Sequence, residues 1–329
     1  MKATAKAHPI QGLVKYHGMR DEDLRLPYHD SISLCTAPSH TKTTVEFDES
    51  LDGDVYVVDG EEVDGRGAER IRAVVNEVRA RADVDYAEYP VRLESENSFP
   101  SNVGLGSSSS GFAAAAMALA AAADLDATRP DVSTIARRGS SSAARAVTGS
   151  FSDLHAGLND EDCRSERLDV PESFEEAIRT VIGLVPAYKE TEAAHEEAAE
   201  SHMFDARRAH VQDQLVEMRD ALRAGDFERV FETAEHDSLS LTAATMTGPA
   251  GWVYWKPETL EIFETVRDLR EEEDVPVYFS TDTGATVYVN TKAEYAERVE
   301  EVVADCGVET EVWEVGGPAE VLDEEEALF

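Results

Sequence analysis

Residues 104–109 of this 329-residue chain have the sequence Gly-Leu-Gly-Ser-Ser-Ser, which could bind a phosphate group. Gly104 and Gly106 allow positive φ angles, and serine side chains are too small to keep an anion away from the backbone amides. The following run, Ala113–Ala123, contains only Ala, Met and Leu and predicts a helix. We therefore predict a phosphate-binding loop at a helix N-terminus, where the helix dipole also favours negative charge. A flexible Gly/Ser linker is the alternative.

This loop matches neither of two common nucleotide-binding patterns. No lysine follows its second glycine, as G-x-x-x-x-G-K-[ST] requires, and its glycine spacing differs from G-x-G-x-x-G. It resembles the second motif, P-x-x-x-G-L-G-S-S, of the GHMP kinase superfamily, whose members are ATP-dependent kinases and decarboxylases of small molecules.

Three further segments resemble the mevalonate diphosphate decarboxylases of that superfamily. Residues 15–33 contain K-Y-H-G-M-R-D and L-P-Y-H-D-S-I-S, similar to the family's K-Y-W-G-K-R-D and L-P-x-x-x-S-[IL]-S. Residues 136–145, A-R-R-G-S-S-S-A-A-R, resemble A-R-x-G-S-G-S-A-x-R, and residues 281–285, T-D-T-G-A, resemble F-D-A-G-P. The resemblance covers residues 7–290 in family order. It implies a GHMP kinase fold and ATP-dependent decarboxylation of a mevalonate phosphate.

The resemblance assigns three catalytic residues, and their chemistry suits the reaction. A tertiary hydroxyl leaves poorly, so its phosphorylation would let phosphate depart as the neighbouring carboxylate is lost as CO2. Asp282 would orient or deprotonate that hydroxyl, and Lys15 would place positive charge near the transferred phosphoryl group. Arg145 would bind the carboxylate through its planar guanidinium. The substrate contacts implied by the resemblance are Tyr16, Ser140, Ser141, Ser142 and Arg145.

ATP and Mg²⁺ are the cofactors implied. Mg²⁺ would bridge the nucleotide phosphates and meet the hydroxyl of Ser107. The nucleotide-binding residues implied are Asn97, Pro100, Gly104, Leu105, Gly106, Ser107, Ser108 and Ser109.

The chain departs from the family where the distal substrate phosphate would bind. Met19 replaces a lysine, His17 replaces the tryptophan, and Ile10 stands where the family has asparagine. Residues 189–195, K-E-T-E-A-A-H, contain neither the arginine nor the glycine of the family's Ser-rich loop, and they add Glu190 and Glu192. The nucleotide half of the site is retained, whereas the distal phosphate half differs.

We therefore predict mevalonate 5-phosphate as substrate and isopentenyl phosphate as product. Arg20, Arg207 and Arg208 are cations that could still reach a distal phosphate. Three alternatives stay open: a mevalonate 5-diphosphate decarboxylase, a kinase that stops after phosphorylating the 3-hydroxyl, and a degenerate member that only binds a metabolite or protein.

The remaining pattern predicts an α+β chain of two domains. Short β-branched runs precede the loop and predict a mixed α/β nucleotide-binding domain over residues 1–185. Residues 186–329 predict a ferredoxin-like split βαβ domain with added helices, one of them over residues 191–223.

Composition limits the partners and the environment. With 68 acidic and 30 basic residues, the formal net charge is -38, a field that would repel nucleic acid and anionic membranes. Dispersed acids with few lysines indicate adaptation to molar salt, and an acidic protein from low salt is the alternative. No apolar span, signal peptide or C-x-x-C pair is evident, so we expect a cytoplasmic protein that binds small molecules. The sequence leaves open whether the protein forms a homodimer.

Overall fold

The computed structural model describes residues 1–99, 105–186 and 197–329 as an α+β arrangement of sheets and helices. The strands are β1 (Lys2–Ala7), β2 (Ile10–Val14), β3 (Met19–Asp21), β4 (Leu26–Pro27), β5 (Ser31–Ala37), β6 (Thr41–Phe47), β7 (Val55–Val58), β8 (Glu61–Glu62), β9 (Val91–Asn97), β10 (Phe151–Leu154), β11 (Ser165–Arg167), β12 (Ile178–Leu184), β13 (Val277–Ser280), β14 (Val287–Lys292), β15 (Glu309–Val315) and β16 (Glu320–Leu322). The α-helices are α1 (Gly65–Arg81), α2 (Ser107–Ala122), α3 (Arg129–Gly139), α4 (Ser141–Thr148), α5 (Glu172–Ala177), α6 (Phe204–Ala224), α7 (Phe227–Met246), α8 (Pro257–Glu273) and α9 (Ala296–Asp305).

A six-stranded sheet in the order β16-β1-β6-β9-β7-β8 supports the predicted phosphate-binding loop. Side chains of β9 alternate, with Val91 and Leu93 buried, as expected for a strand with one face on a core. Helix α2 packs on β1 and β6 and against α3 and α4. Its alanines permit this close approach, and most of them are fully buried. The loop at its N-terminus is thereby attached to a rigid layer.

An eight-stranded sheet combines strands from both halves of the chain, in the order β11-β10-β5-β15-β12-β14-β13 with β2 beside β5. Strands β15, β12, β14 and β13 are antiparallel neighbours, and numbered along the chain their order is 4-1-3-2. This arrangement confirms the predicted split βαβ pattern. Helices α8 and α9 pack on these strands, while α6 and α7, inserted in the first crossover, pack against β2.

The predicted domain boundary between residues 185 and 186 remains a prediction. Strand β12 lies before it in the chain, yet it hydrogen-bonds to β14 and β15 from the second half. Strand β15 also pairs with β5, through Val315 and Thr36. We propose that a division by sheet packing would fall before Ile178.

One helix boundary predicted from the sequence is wrong. Helical spacing predicted a helix over residues 191–223, but within the described part of this range α6 begins only at Phe204. Ser201 Oγ forms a hydrogen bond with Thr247 Oγ1 (2.6 Å) and accepts one from the Met203 amide (3.2 Å). The Ser201 side chain thus bonds to a distant segment and to a nearby main-chain amide, and these bonds compete with the helical pattern. No helix of the described residues is long and apolar enough to cross a membrane.

Candidate active site

Asp282 and Lys15, 267 positions apart in the sequence, meet beside Gly12. The amide of Gly12 donates a hydrogen bond to Asp282 Oδ1 (3.2 Å). Strand β2 ends at Val14, so Lys15 begins the turn after it. A Cβ atom on Gly12 would lie 2.6 Å from Lys15 Cγ and 2.9 Å from Asp282 Oδ1. Glycine is therefore required here for the two side chains to approach each other.

The Lys15 ammonium is buried, and the residue is only 5% exposed. It donates hydrogen bonds to Ser238 Oγ (3.0 Å) and Ser280 Oγ (3.3 Å), and it lies 3.5 Å from Asp237 Oδ2. Burial lowers the pKa of Lys15, and the carboxylates of Asp237 and Asp282 oppose that shift. The surroundings therefore compensate a cation that would otherwise be costly to bury.

Arg145 lies on α4 and presents a buried guanidinium without hydrogen-bond partners at two of its nitrogens. It is 3% exposed, and Nε and Nη1 find no acceptor within the described ranges. Its guanidinium carbon is 5.4 Å from the centre of the Tyr16 ring. Burial lowers the pKa of Arg145, and the phenol of Tyr16 and the carboxylate of Asp282 act in the opposite direction. A buried donor group of this kind is suited to an anionic ligand.

Ser33 contributes a further buried polar atom on the same face. It is paired with Gly12 across β2 and β5, and directly opposed residues point to the same side of a sheet. Its hydroxyl has no hydrogen-bond partner among the residues that the structure describes. The side of β2 that faces Asp282 therefore presents polar groups to which a ligand could hydrogen-bond.

Ser140, Ser141 and Ser142 lie together at the start of α4. Ser140 Oγ and Ser142 Oγ are 2.8 Å apart, whereas Ser141 Oγ donates to the carbonyl of Arg25 (2.7 Å). Ser141 Oγ is also 3.8 Å from the sulfur of Met19. The Met19 thioether thus lies beside the predicted substrate serines.

The charges of three guanidinium groups act on the Tyr16 phenol. Burial raises the pKa of Tyr16, and the charges of Arg145, Arg25 and Arg70 oppose that rise. Arg70 extends from α1 and donates from Nε to the carbonyl of Gly139, at the end of α3 (2.8 Å). This cluster places positive charge next to the serines of α4.

The three arginines that the sequence suggested for a distal phosphate bind other groups of the protein. The guanidinium of Arg20 donates to the carbonyls of Pro27, Ala156, Gly157 and Leu158. Arg207 forms an ion pair with Asp237 (3.0 Å). Arg208 lies over the rings of Tyr28 and Phe204, with its guanidinium carbon 5.1 Å and 5.8 Å from their centres. Glu190 and Glu192 lie outside the described residues.

The predicted nucleotide loop is described from Leu105 onward, so Pro100 and Gly104 lie outside the described residues. Gly106 caps α2 with φ of 73°, in the left-handed region that glycine adopts readily. Ser107 is half-buried and Ser108 is exposed in the first helical turn. The amides of Ser109 and Ser110 donate to the Gly106 carbonyl, so those of Ser107 and Ser108 are the ones that a helix N-terminus directs beyond its end.

Other predicted loop residues have bonds and contacts within the protein. Ser109 Oγ donates to the Gly106 carbonyl (2.6 Å) and accepts from the Ile10 amide (3.2 Å). The Asn97 side chain donates to Asp59 Oδ2 (2.9 Å) and accepts from Thr41 Oγ1 (2.6 Å). Leu105 is 2% exposed and belongs to an apolar cluster with Phe99, Ile182, Tyr288 and Trp313. These contacts hold the loop against both sheets.

Sequence reasoning missed several residues of this site. Gly12 lies three residues before Lys15 in the sequence, and only its close approach to Asp282 reveals its importance. Asp237 and Ser238 lie on a helix without a recognisable motif, and Arg25 and Arg70 lie among ordinary surface patterns. Their shared signal is tertiary proximity, which no local spacing encodes.

Comparison with known proteins assigns the family. Residues 7–165 match the model of the diphosphomevalonate decarboxylase-like N-terminal domain. The chain is 72% identical to the phosphomevalonate decarboxylase of Haloferax volcanii over 329 residues, which cover 100% of both chains. The chain belongs to the phosphomevalonate and diphosphomevalonate decarboxylase family.

Solved structures of this decarboxylase family share the fold. Mevalonate diphosphate decarboxylase from Staphylococcus aureus superposes with a TM-score of 0.91 at 26% identity, with 98% of each chain covered. A complex described as MDDEF with MVAPP, AMPPCP and magnesium gives a TM-score of 0.90 at 27% identity, covering 98% of this chain and 99% of the other. These likenesses confirm the GHMP kinase fold expected from the sequence. That family complex contains an ATP analogue and magnesium together.

Proposed function

We propose that this chain catalyses the ATP-dependent decarboxylation of mevalonate 5-phosphate to isopentenyl phosphate, releasing ADP, phosphate and CO2. The full-length similarity to the Haloferax phosphomevalonate decarboxylase supports the reaction. The observation that carries it is the position of Asp282, which accepts from the Gly12 amide and whose charge acts on both Lys15 and Arg145. A carboxylate, an ammonium and a guanidinium with unpaired donors provide the groups that phosphorylation and decarboxylation each need.

Asp282 and Lys15 act in the phosphorylation step. The Gly12 hydrogen bond holds the carboxylate of Asp282, which orients the 3-hydroxyl or accepts its proton. The Lys15 ammonium stabilises the negative charge on the phosphoryl group as it moves to that oxygen. Because Lys15 is held by Ser238 and Ser280, little reorganisation is needed at the moment of transfer.

Arg145 acts in the second step. Its free donors bind the substrate carboxylate and hold it in the plane from which the carbon–carbon bond breaks. The electron pair of that bond forms the alkene as the 3-phosphate departs, and the carboxylate leaves as CO2. Arg145 thus positions the leaving carboxylate relative to the departing phosphate.

The nucleotide phosphates are proposed to bind the N-terminus of α2. Gly106 lets the backbone turn into the helix, and a Cβ there would lie 3.2 Å from the Ile10 carbonyl. Ser107 supplies a half-buried hydroxyl in the first turn, a hard oxygen donor of the kind that Mg²⁺ accepts. When bound, Mg²⁺ neutralises charge on the nucleotide phosphates.

The substrate phosphate is proposed to lie among Tyr16, Ser140 and Ser142. Arg25 and Arg70 supply positive charge there. Met19 places a thioether, which offers no charged donor, beside Ser141. A second phosphate would need further charge-assisted donors, each worth about 1.5–3 kcal/mol. This pocket therefore favours the monophosphate.

Measurement of kcat/KM for mevalonate 5-phosphate and 5-diphosphate, with ATP and Mg²⁺ at one salt concentration, tests the proposal. We expect a preference for the monophosphate of about a hundredfold or more, because the loss of two donors would amount to about 3 kcal/mol. Equal values or a preference for the diphosphate would overturn this substrate. Formation of ADP without CO2 would instead indicate a kinase.

A further inference from the structure

A buried ion pair from two helices lies directly behind Lys15. Asp237, on α7, is fully buried, and Arg207, on α6, is 3% exposed. Arg207 Nη2 donates to Asp237 Oδ1 (3.0 Å) and to the main-chain carbonyl of Lys15 (2.8 Å). Both charges are thus placed within bonding distance of one lysine.

Asp237 binds Lys15 twice through the same oxygen. Oδ2 accepts the Lys15 main-chain amide (3.0 Å) and lies 3.5 Å from the Lys15 ammonium. The next residue of the helix, Ser238, accepts a hydrogen bond from that ammonium and one from the Thr281 amide (3.2 Å). One helical turn therefore connects Lys15 to the segment that carries Asp282.

The charges that face Lys15 are balanced. Asp237 and Asp282 are the carboxylates, and Arg207 is the second cation. His29 lies nearby, where burial lowers its pKa and thus favours the neutral form. Removal of Asp237 would leave two cations with one carboxylate, and removal of Arg207 would leave one cation with two carboxylates.

We propose that Asp237 is a positioning residue which, with Arg207, fixes the Lys15 side chain towards Asp282 and sets the pH range over which its ammonium stays charged. This inference rests on the role of Lys15 under the proposed function. Neither residue is proposed to contact the substrate, and both act through Lys15.

The sign of each effect follows from the charges. Burial already lowers the pKa of Lys15, and Asp237 is the largest opposing charge, so Asp237→Asn lowers the pKa further. The alkaline limb of the kcat/KM profile then moves to lower pH. Arg207 lowers the pKa of Lys15, so Arg207→Gln moves the limb to higher pH. Loss of packing alone would not move the limb in opposite directions.

The experiment compares pH–rate profiles of the parent, Asp237→Asn and Arg207→Gln with mevalonate 5-phosphate at constant salt. Glu235→Gln is the matched control, because Glu235 is a buried acid on the same helix that pairs with Arg270 (3.2 Å). Above the parent's alkaline midpoint we expect Asp237→Asn to lose about tenfold or more in kcat/KM. We expect Glu235→Gln to keep the parent midpoint.

NMR titration of the lysine ε-CH2 groups gives a second measurement that needs no turnover. The chain has seven lysines, so the Lys15 signal can be assigned with Lys15→Arg. If the parent fails to convert mevalonate 5-phosphate, the proposed function fails while this titration still tests the inference. If Asp237→Asn does not fold, the direction of the Arg207→Gln shift decides. The proposal would be overturned by an unchanged Lys15 midpoint, or by midpoints that shift in the same direction in Asp237→Asn and Arg207→Gln.

Discussion

Two side chains of the candidate site differ in how the protein satisfies them. Asp282 has a hydrogen bond from the Gly12 amide, whereas the buried guanidinium of Arg145 keeps two nitrogens without acceptors among the described residues. A buried donor without a partner costs free energy in the absence of ligand. Such a cost is expected at a site that is complete only when an anion binds.

Asp282→Asn and Arg145→Ala should each reduce kcat by at least about two orders of magnitude, since each removes a charge that acts on the reacting groups. Steady-state assays with mevalonate 5-phosphate measure this loss. Arg145→Ala should lower the melting temperature little, because two of its nitrogens have no acceptor among the described residues, and Asp282→Asn keeps an oxygen that can accept from Gly12.

Arg137→Ala is the control for the arginine. Arg137 is fully buried on α3, but it donates to the carbonyls of Leu24 and Cys163 and pairs with Asp160. We expect this variant to lose stability and to keep kcat. Turnover of Arg145→Ala within threefold of the parent would remove Arg145 from the mechanism.

Gly12→Ala should reduce kcat by about tenfold or more, because the added methyl group would displace Lys15 or Asp282 from their contact. Gly53→Ala is the matched control, since a Cβ there meets nothing within 4 Å. Circular dichroism and kcat distinguish loss of fold from loss of geometry. Equal kcat for both variants would contradict the requirement for glycine beside Asp282.

The packing of α2 decides where the nucleotide loop lies. This helix presents alanines to the sheet, while its Phe112 ring fits against Gly139 at the end of α3. The Arg70 guanidinium carbon lies over the same ring, 4.7 Å from its centre. The helix therefore connects the phosphate-binding loop to the arginine cluster near Tyr16.

Gly139→Ala should destabilise the protein by about 1–3 kcal/mol, since its Cβ would lie 2.1 Å from the Phe112 ring. Gly111→Ala, one residue before Phe112, has open space around its Cβ and should gain up to about 1 kcal/mol from helix propensity. Urea unfolding at fixed high salt measures both. A stable Gly139→Ala variant would show that α2 and α3 can move apart freely.

The net charge of -38 dominates the behaviour of the whole molecule. Repulsion among dispersed carboxylates opposes the compact state, and salt reduces it as the screening length falls from about 10 Å at 0.1 M to about 3 Å at 1 M. The family relative from Haloferax fits this interpretation of the composition.

Activity and melting temperature should both rise as KCl increases from about 0.1 M to 2 M. Sucrose is the control, because it favours compact states without screening charge. Values that stay constant across this salt range, or an equal response to sucrose, would reject adaptation through charge screening.

Local patterns sufficed for the turn into α2, the split βαβ order and the decarboxylase family. Turn chemistry, helix propensity and strand alternation act over a few residues, so the segment around Gly106 and the strands near Asp282 could be predicted from their own sequence. The start of α6 at Phe204 could not, because the bond between Ser201 and Thr247 joins distant segments. Helical spacing alone does not show where such a bond interrupts it.

The environment of the reacting groups depends on contacts between distant residues. Gly12 meets Asp282 across 270 positions, and Asp237 meets Lys15 across 222. These distances are fixed when β2 packs against α7 and pairs with β5, so they express tertiary packing and no local preference. The residues proposed for the site could therefore be named from the sequence, whereas their burial, charge balance and close approach required the folded structure.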